Sequence, residues 1–255
     1  MSKPLSEQNI RLLKLMKQAL EQNLLRPSYR PLLQIRFPQR RSFQLQCELV
    51  TGTGQRIPWA SLERMARITG TDAELDRWLL ERGLEALREL HREQPDGLMV
   101  IPLSGAALAN PELSRMVERQ RKLKEVSSQG LIMAFRLSQI SRDLRHAHRC
   151  ISALHEQEID TLIEGFNEHP AALKILRALG SRYIGVSKKL RLGDDGVVEH
   201  RIQACHRMGV RILVPNIDGP DQVNLLWSAG ADLIAGDYVQ PPTTDLGFSF
   251  EPAVA

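Results

Sequence analysis

The chain has 255 residues, 42% of them hydrophobic, and 34 Lys and Arg against 30 Asp and Glu give a net charge of +4. That length suits one α/β barrel or two small domains with a sizeable core, and no apolar window is long enough to span a membrane. The modest, dispersed positive charge reads as a solvated surface and not as a nucleic-acid or lipid footprint. The N-terminus, MSKPLSEQN, lacks the apolar middle of a signal peptide. Cys47, Cys150 and Cys205 are odd in number and far apart, with no CxxC. This is the pattern of buried thiols in a reducing cytoplasm, not of a disulfide or zinc framework.

Residues 6–25 carry apolar positions at helical spacing, with Ser6 as a cap and Pro27 as the stop. Residues 29–37 and 43–50 read as two strands of an antiparallel hairpin around Pro38 to Arg40. The Thr51 to Gly54 turn is no phosphate loop, since no helix opens on it and no GK[ST] follows. Pro58 starts one helix, and residues 72–93 form a longer one with Leu75, Trp78, Leu79, Leu84 and Leu87 on one side.

From Gly97 the pattern alternates. Strands are expected at 98–103, 131–137, 159–163 and 182–186. Helices are expected at 104–124 (broken at Pro111), 138–155, 170–179 and 198–208. Residues 208–242 then form a strand–helix–strand unit. Val210 to Val214 is too short for a buried helix, and Asp218 and Pro220 fit the start of the next element. Gly230 closes that helix before a second apolar run at 231–235. Such a unit implies parallel pairing and a right-handed crossover. A hairpin plus six further strands gives about eight, enough to close a barrel.

In a (β/α)8 barrel the reactive groups stand at the C-terminal strand ends. Here those ends read Glu48 to Val50, Pro102, Arg136, Glu164, Ser187, Pro215 and Ala235. Glu48 and Glu164 are the carboxylates among them, and every histidine falls elsewhere. His146 and His148 are two apart and point to different faces of a helix, so they make no ligand pair.

The order and spacing of these segments resemble the EAL domain, the modified TIM barrel that hydrolyses cyclic di-GMP, over roughly Leu12 to Pro242. The resemblance rests on Arg30-Pro31-Leu32, Gln44-Leu45-Gln46-Cys47-Glu48, Pro102-Leu103-Ser104 and Ala134-Phe135-Arg136-Leu137. It continues through Glu164-Gly165-Phe166-Asn167, Gly185-Val186-Ser187, Val214-Pro215-Asn216-Ile217-Asp218 and Ala235-Gly236-Asp237. The segment LLWSAGADLIAGDYVQPP with LGFSF beyond it is most similar to the degenerate FimX-type EAL domains of type IV pilus regulation. The resemblance implies an α/β fold, a modified TIM (β/α)8 barrel of EAL type with its first strand antiparallel. It places one barrel at 1–242, including the 6–25 helix, and a tail at 243–255.

The resemblance also implies what is missing. The family's hydrolysis uses two divalent cations, and hard cations need oxygen ligands, mainly carboxylates. At the matching positions stand Gln44, Pro102, Ala134, Glu164, Gly165, Gly185, Pro215 and Ala235. One carboxylate remains, so no catalytic residue, no metal site and no cofactor is expected. The family's phosphate-clamping arginine matches Glu48, and its first-strand glutamine matches Arg30. The residues expected to line the vestigial pocket are Arg30, Gln44, Leu45, Glu48, Arg136, Glu164 and Asp218. Arg30 and Arg136, with Lys188 and Lys189, either form a basic mouth for some anion or are solvated or paired with Glu48 and Glu164.

Two functions are expected from this set. One is a catalytically inactive EAL-like protein working through protein contacts with a PilZ-type, pilus or flagellar regulator, in control of type IV pili, motility or biofilm. The alternative is a cyclic di-GMP receptor that passes the signal to a PilZ-type or other partner without hydrolysis. Exposed helix faces leave a homodimer open.

Overall fold

The computed structural model describes residues 7–52, 54–166, 171–186 and 197–248. The Ser6 cap, Pro170, Ser187, Lys188 and Lys189 and the last residues of the expected tail lie outside the described residues. The elements in chain order are α1 (Glu7–Glu21), β1 (Leu25–Pro31), β2 (Leu33–Gln34), β3 (Ser42–Val50), β4 (Arg56–Ile57), α2 (Trp59–Thr69), α3 (Asp72–Glu93) and β5 (Leu98–Pro102). Then come α4 (Gly105–Ala109), α5 (Leu113–Leu123), β6 (Leu131–Arg136), α6 (Leu137–Ile140), α7 (Leu144–His155), β7 (Asp160–Glu164), α8 (Ala172–Leu179) and β8 (Tyr183–Gly185). The series ends with α9 (Val197–His206), β9 (Arg211–Val214), α10 (Pro220–Ala229) and β10 (Leu233–Ile234).

Strands β3, β5, β6, β7, β8, β9 and β10 follow one another in a parallel sheet. The ring is closed by the first strand, which is antiparallel to both of its neighbours. Its first part, β1, pairs with β3, and its second part, β2, pairs with β10. Leu32 sits between the two parts and donates its amide to Ser42 O at 2.7 Å. The fold is therefore the α/β modified TIM barrel expected, with the antiparallel first strand.

Two apolar cores follow from the alternation of side chains along each strand. Leu32, Val100, Ile132, Ala134, Leu162, Tyr183, Leu213, Leu233 and Ala235 fill the barrel interior. The other set packs outward against the helices, as Phe43, Leu45, Cys47 and Leu49 do on β3. On α3, Gly83 lets the helix lie close on the sheet. A Cβ there would stand 2.3 Å from Ile101 Cδ1 and 3.3 Å from Leu45 Cδ2.

Several boundaries differ from the sequence reading. Helix α1 stops at Glu21 because Asn23 turns left-handed (φ 53), and not because of Pro27. Pro27 instead lies within β1, opposite Cys47. The first strand ends at Gln34, and Phe37 turns back with the Arg40 guanidinium 4.2 Å above its ring. The 138–155 helix is two helices, parted after Ile140 by a turn whose Asp143 caps α7 through His146 N–H at 3.0 Å. Asp218 does not cap α10: the cap position is Gly219, and Gln222 Oε1 accepts the Asp218 amide at 2.8 Å. Gly230 does close α10, in the left-handed conformation at φ 81. Beyond it, Thr243 exchanges backbone hydrogen bonds with Tyr29 at 2.7 and 3.0 Å, and Phe248 is buried. The first residues of the tail thus dock on the barrel. No helix among the described residues is long and apolar enough to cross a membrane.

Candidate functional site

The candidate site is the barrel mouth, where the parallel strands end. Registers place its residues on neighbouring strands: Pro102 opposite Ala134, Arg136 opposite Glu164, and Glu164 opposite Gly185. Ala235 follows β10, donating its amide to Val214 O and accepting from Ile217 N–H, each at 3.0 Å. Next to it, Gly236 packs so closely that a Cβ would lie 2.2 Å from both Ile217 N and Ile217 O.

One hydrogen bond joins β3 to β7 across this mouth. Gln44 Nε2 donates to Glu164 Oε1 at 2.8 Å. Glu164 lies deep in the mouth, and burial raises its pKa above the usual carboxylate range. The charge of Arg136 and the Gln44 hydrogen bond pull it back, while Glu63 pushes it further up. A carboxyl desolvated in this way gives up its charge more readily than one in water.

The other charged residues at the mouth pair with neighbours that the sequence reading did not assign to them. Arg30 Nη1 meets Asp237 Oδ1 at 2.9 Å. Glu48 Oε1 meets Arg56 Nη1 from β4 at 3.4 Å. Arg136 Nη2 meets Glu63 Oε2 on α2 at 2.5 Å, and Glu63 Oε1 is 3.6 Å from Arg67 Nη2. Arg30 and Arg136 therefore do pair with carboxylates, though not with Glu48 or Glu164.

Gln44, Glu48, Arg136 and Glu164 share the mouth. Leu45 does not: it is fully buried in the outer core, facing α3, because adjacent residues of a strand point to opposite faces. Asp218 is exposed on the loop after β9.

One buried polar contact beside the mouth was not anticipated. Asp76 of α3 accepts from Ser104 N–H at 2.9 Å and from Ser104 Oγ at 2.6 Å, and Ser104 Oγ in turn accepts from Ala106 N–H at 3.0 Å. Asp76 thereby fixes the loop between β5 and α4. Its signal in the sequence is a carboxylate next to Leu75 on the buried stripe of α3, where an apolar residue is the rule.

The side chains at Pro102, Ala134, Gly185 and Ala235 carry no oxygen, so this part of the mouth offers one carboxylate and one amide. Among the described residues, no three His, Cys, Asp or Glu side chains gather as a metal site.

Comparison with known proteins places this geometry. The EAL domain profile matches residues 14–242. An uncharacterised 76.5 kDa protein from the phbC 3′ region of Thiocystis violacea is 20% identical over 239 residues, covering 93% of this chain and 34% of its own length. The chain thus spans about a third of that relative. A crystal structure of a FimX EAL domain superposes with a TM-score of 0.87 at 21% identity, covering 94% of this chain and 98% of that one. The FimX EAL domain from Pseudomonas aeruginosa, bound to c-di-GMP, gives a TM-score of 0.85, also at 21% identity, with 94% and 99% covered. At that identity the structures share the fold. With the profile spanning nearly all of the barrel, the chain belongs to the EAL domain family.

Proposed function

We propose that this EAL domain does not hydrolyse cyclic di-GMP and works by contact with another protein in cyclic di-GMP-linked signalling, in control of type IV pili, motility or biofilm. The observation that carries this reading is the donor set at the strand ends. Glu164 stands among Gln44, Pro102, Ala134, Gly185 and Ala235, and it is already hydrogen-bonded to Gln44. Two hard cations cannot displace their hydration for one carboxylate and one amide. The residues present therefore do not fit the metal pair of the family's reaction, and no step through metal follows from them. The partner class that fits a FimX-like barrel is a PilZ-type, pilus or flagellar regulator.

Incubation with cyclic di-GMP and magnesium or manganese, followed by chromatography for the linear dinucleotide, tests this. No product is expected, and Ala134→Glu is not expected to restore it, since the other ligands remain absent. Measurable product from the wild-type chain would sink the proposal.

A second reading has its own support. FimX EAL domains that share this fold are bound to c-di-GMP in their crystals, so the mouth could hold the nucleotide without cleaving it. Against this, Glu48 brings a negative charge to the position of the family's phosphate clamp. Calorimetry with cyclic di-GMP separates the two: saturable binding below about 10 µM supports the receptor.

A further inference from the structure

Beside the mouth, outside the barrel axis, a cavity of about 410 Å³ opens between α4 on one side and α6 and the first turns of α7 on the other. Its volume is within the range of small-molecule sites. Three arginines from three different elements line it: Arg67 at the end of α2, Arg136 at the end of β6, and Arg142 in the turn before α7. Ser138, Gln139 and His146 add polar groups. We propose that this cavity binds a compact anion carrying carboxylate or phosphate groups.

Among the described residues, the carboxylates leave one cation of the wall, Arg142, without a partner. Asp143 is occupied by His146, taking the His146 backbone N–H at 3.0 Å and its Nδ1 at 2.6 Å. Asp72 is partly desolvated and near Arg67, and burial raises its pKa. Glu63 lies behind Arg136 and Arg67 and holds both in place. Arg142 is exposed, and among the described residues no carboxylate pairs with it. Its guanidinium is therefore free to take a bidentate oxyanion. Gln139 uses its Oε1 on the Arg136 amide at 3.2 Å, leaving its amide N–H groups for a ligand.

The body of the ligand is set by what the wall lacks. The apolar part is Leu108, Ala106, Ala109 and Ala147, with no aromatic ring. The small side chains of that part suit a compact ligand body. The inference goes beyond the proposed function and holds whether or not the barrel mouth takes cyclic di-GMP.

Calorimetry with citrate and with ribose 5-phosphate, at ionic strength matched with sodium chloride, tests it through a carboxylate and a phosphate arm. One saturable site is expected for at least one of them. Arg142→Ala is expected to weaken it about tenfold or more. Ala106→Phe, at an exposed position on the α4 wall, is expected to block it without changing any charge. Circular dichroism confirms that both variants fold. Absence of saturable heat with either probe overturns the proposal. So does undiminished binding in both variants, or binding lost on Gln44→Ala instead, which would place the anion at the barrel mouth.

Discussion

Replacing Asp76 by Asn is expected to stabilise the protein at neutral pH, although it alters a buried, doubly hydrogen-bonded residue. Asp76 is 5% exposed. Burial pushes its pKa from 3.8 up to about 6, and the hydrogen bonds from Ser104 only partly oppose that. The folded chain therefore holds a proton that the unfolded chain has lost between about pH 4 and pH 6. Stability contributed by this group falls as pH rises through that window and stays level above it. Two pKa units correspond to about 3 kcal/mol. Asn keeps the shape, accepts the Ser104 amide, and donates to Ser104 Oγ where the carboxylate accepted. Losing the charge-assisted bonds costs about 1 kcal/mol, which leaves the variant ahead by about 2 kcal/mol at pH 7.5. Urea unfolding of both proteins near pH 7.5 and near pH 4.5 measures the difference. The advantage of the variant should shrink by about 2 kcal/mol or more at the acid end. An Asn variant less stable than wild type by the same amount at both pH values would refute the reasoning, because the Ser104 hydrogen bonds would then outweigh the desolvation.

Three further outcomes are expected. Glu48→Arg should bring cyclic di-GMP binding into the range of calorimetry without creating turnover, because a carboxylate about 5 Å from a phosphate costs roughly 3 kcal/mol at an effective dielectric near 20; unchanged heats would show that Glu48 does not decide nucleotide binding. Gly236→Ala should lose about 3 kcal/mol in denaturant unfolding, since the new Cβ meets backbone atoms of Ile217 at 2.2 Å, and a wild-type midpoint would contradict the close approach. Crystals soaked in manganese should show no pair of anomalous peaks about 4 Å apart near Gln44, Pro102 and Glu164; such a pair would mean that the strand-end positions have been matched wrongly.

The barrel itself was legible in the sequence because its strands are short apolar runs separated by helices with a clear buried stripe. The positions from Pro102 to Ala235 fall at or close to strand ends for the same reason: a two-residue period leaves little freedom of register. Local stops were less legible. Asn23 ends α1 by its own backbone conformation, which composition does not reveal, and Pro27 looked like the better breaker while sitting in an antiparallel strand. Leu45 was placed in the pocket although it neighbours Gln44, and the same two-residue period should have sent it outward. The ion pairs at the mouth were invisible for a different reason. Arg30 and Asp237 are joined only when the first and last parts of the ring meet, and Glu63 reaches Arg136 from a helix far away in the chain.

The way the ring is closed also sets a timetable for folding. Gln34 pairs with Leu233, and Tyr29 with Thr243, so the first strand has one neighbour available early and the other only when nearly the whole barrel exists. On the ribosome, β1 and β3 can form their hairpin as soon as they emerge, while β2 has no partner until β10 has been made. Contacts of such sequence separation carry the largest loop-closure cost and form slowly. Until then β2 and the open side of the growing sheet are unpaired edges, the kind of surface that joins with other chains. A nascent chain stalled before β10 is thus more exposed to aggregation than its hydrophobic content alone suggests.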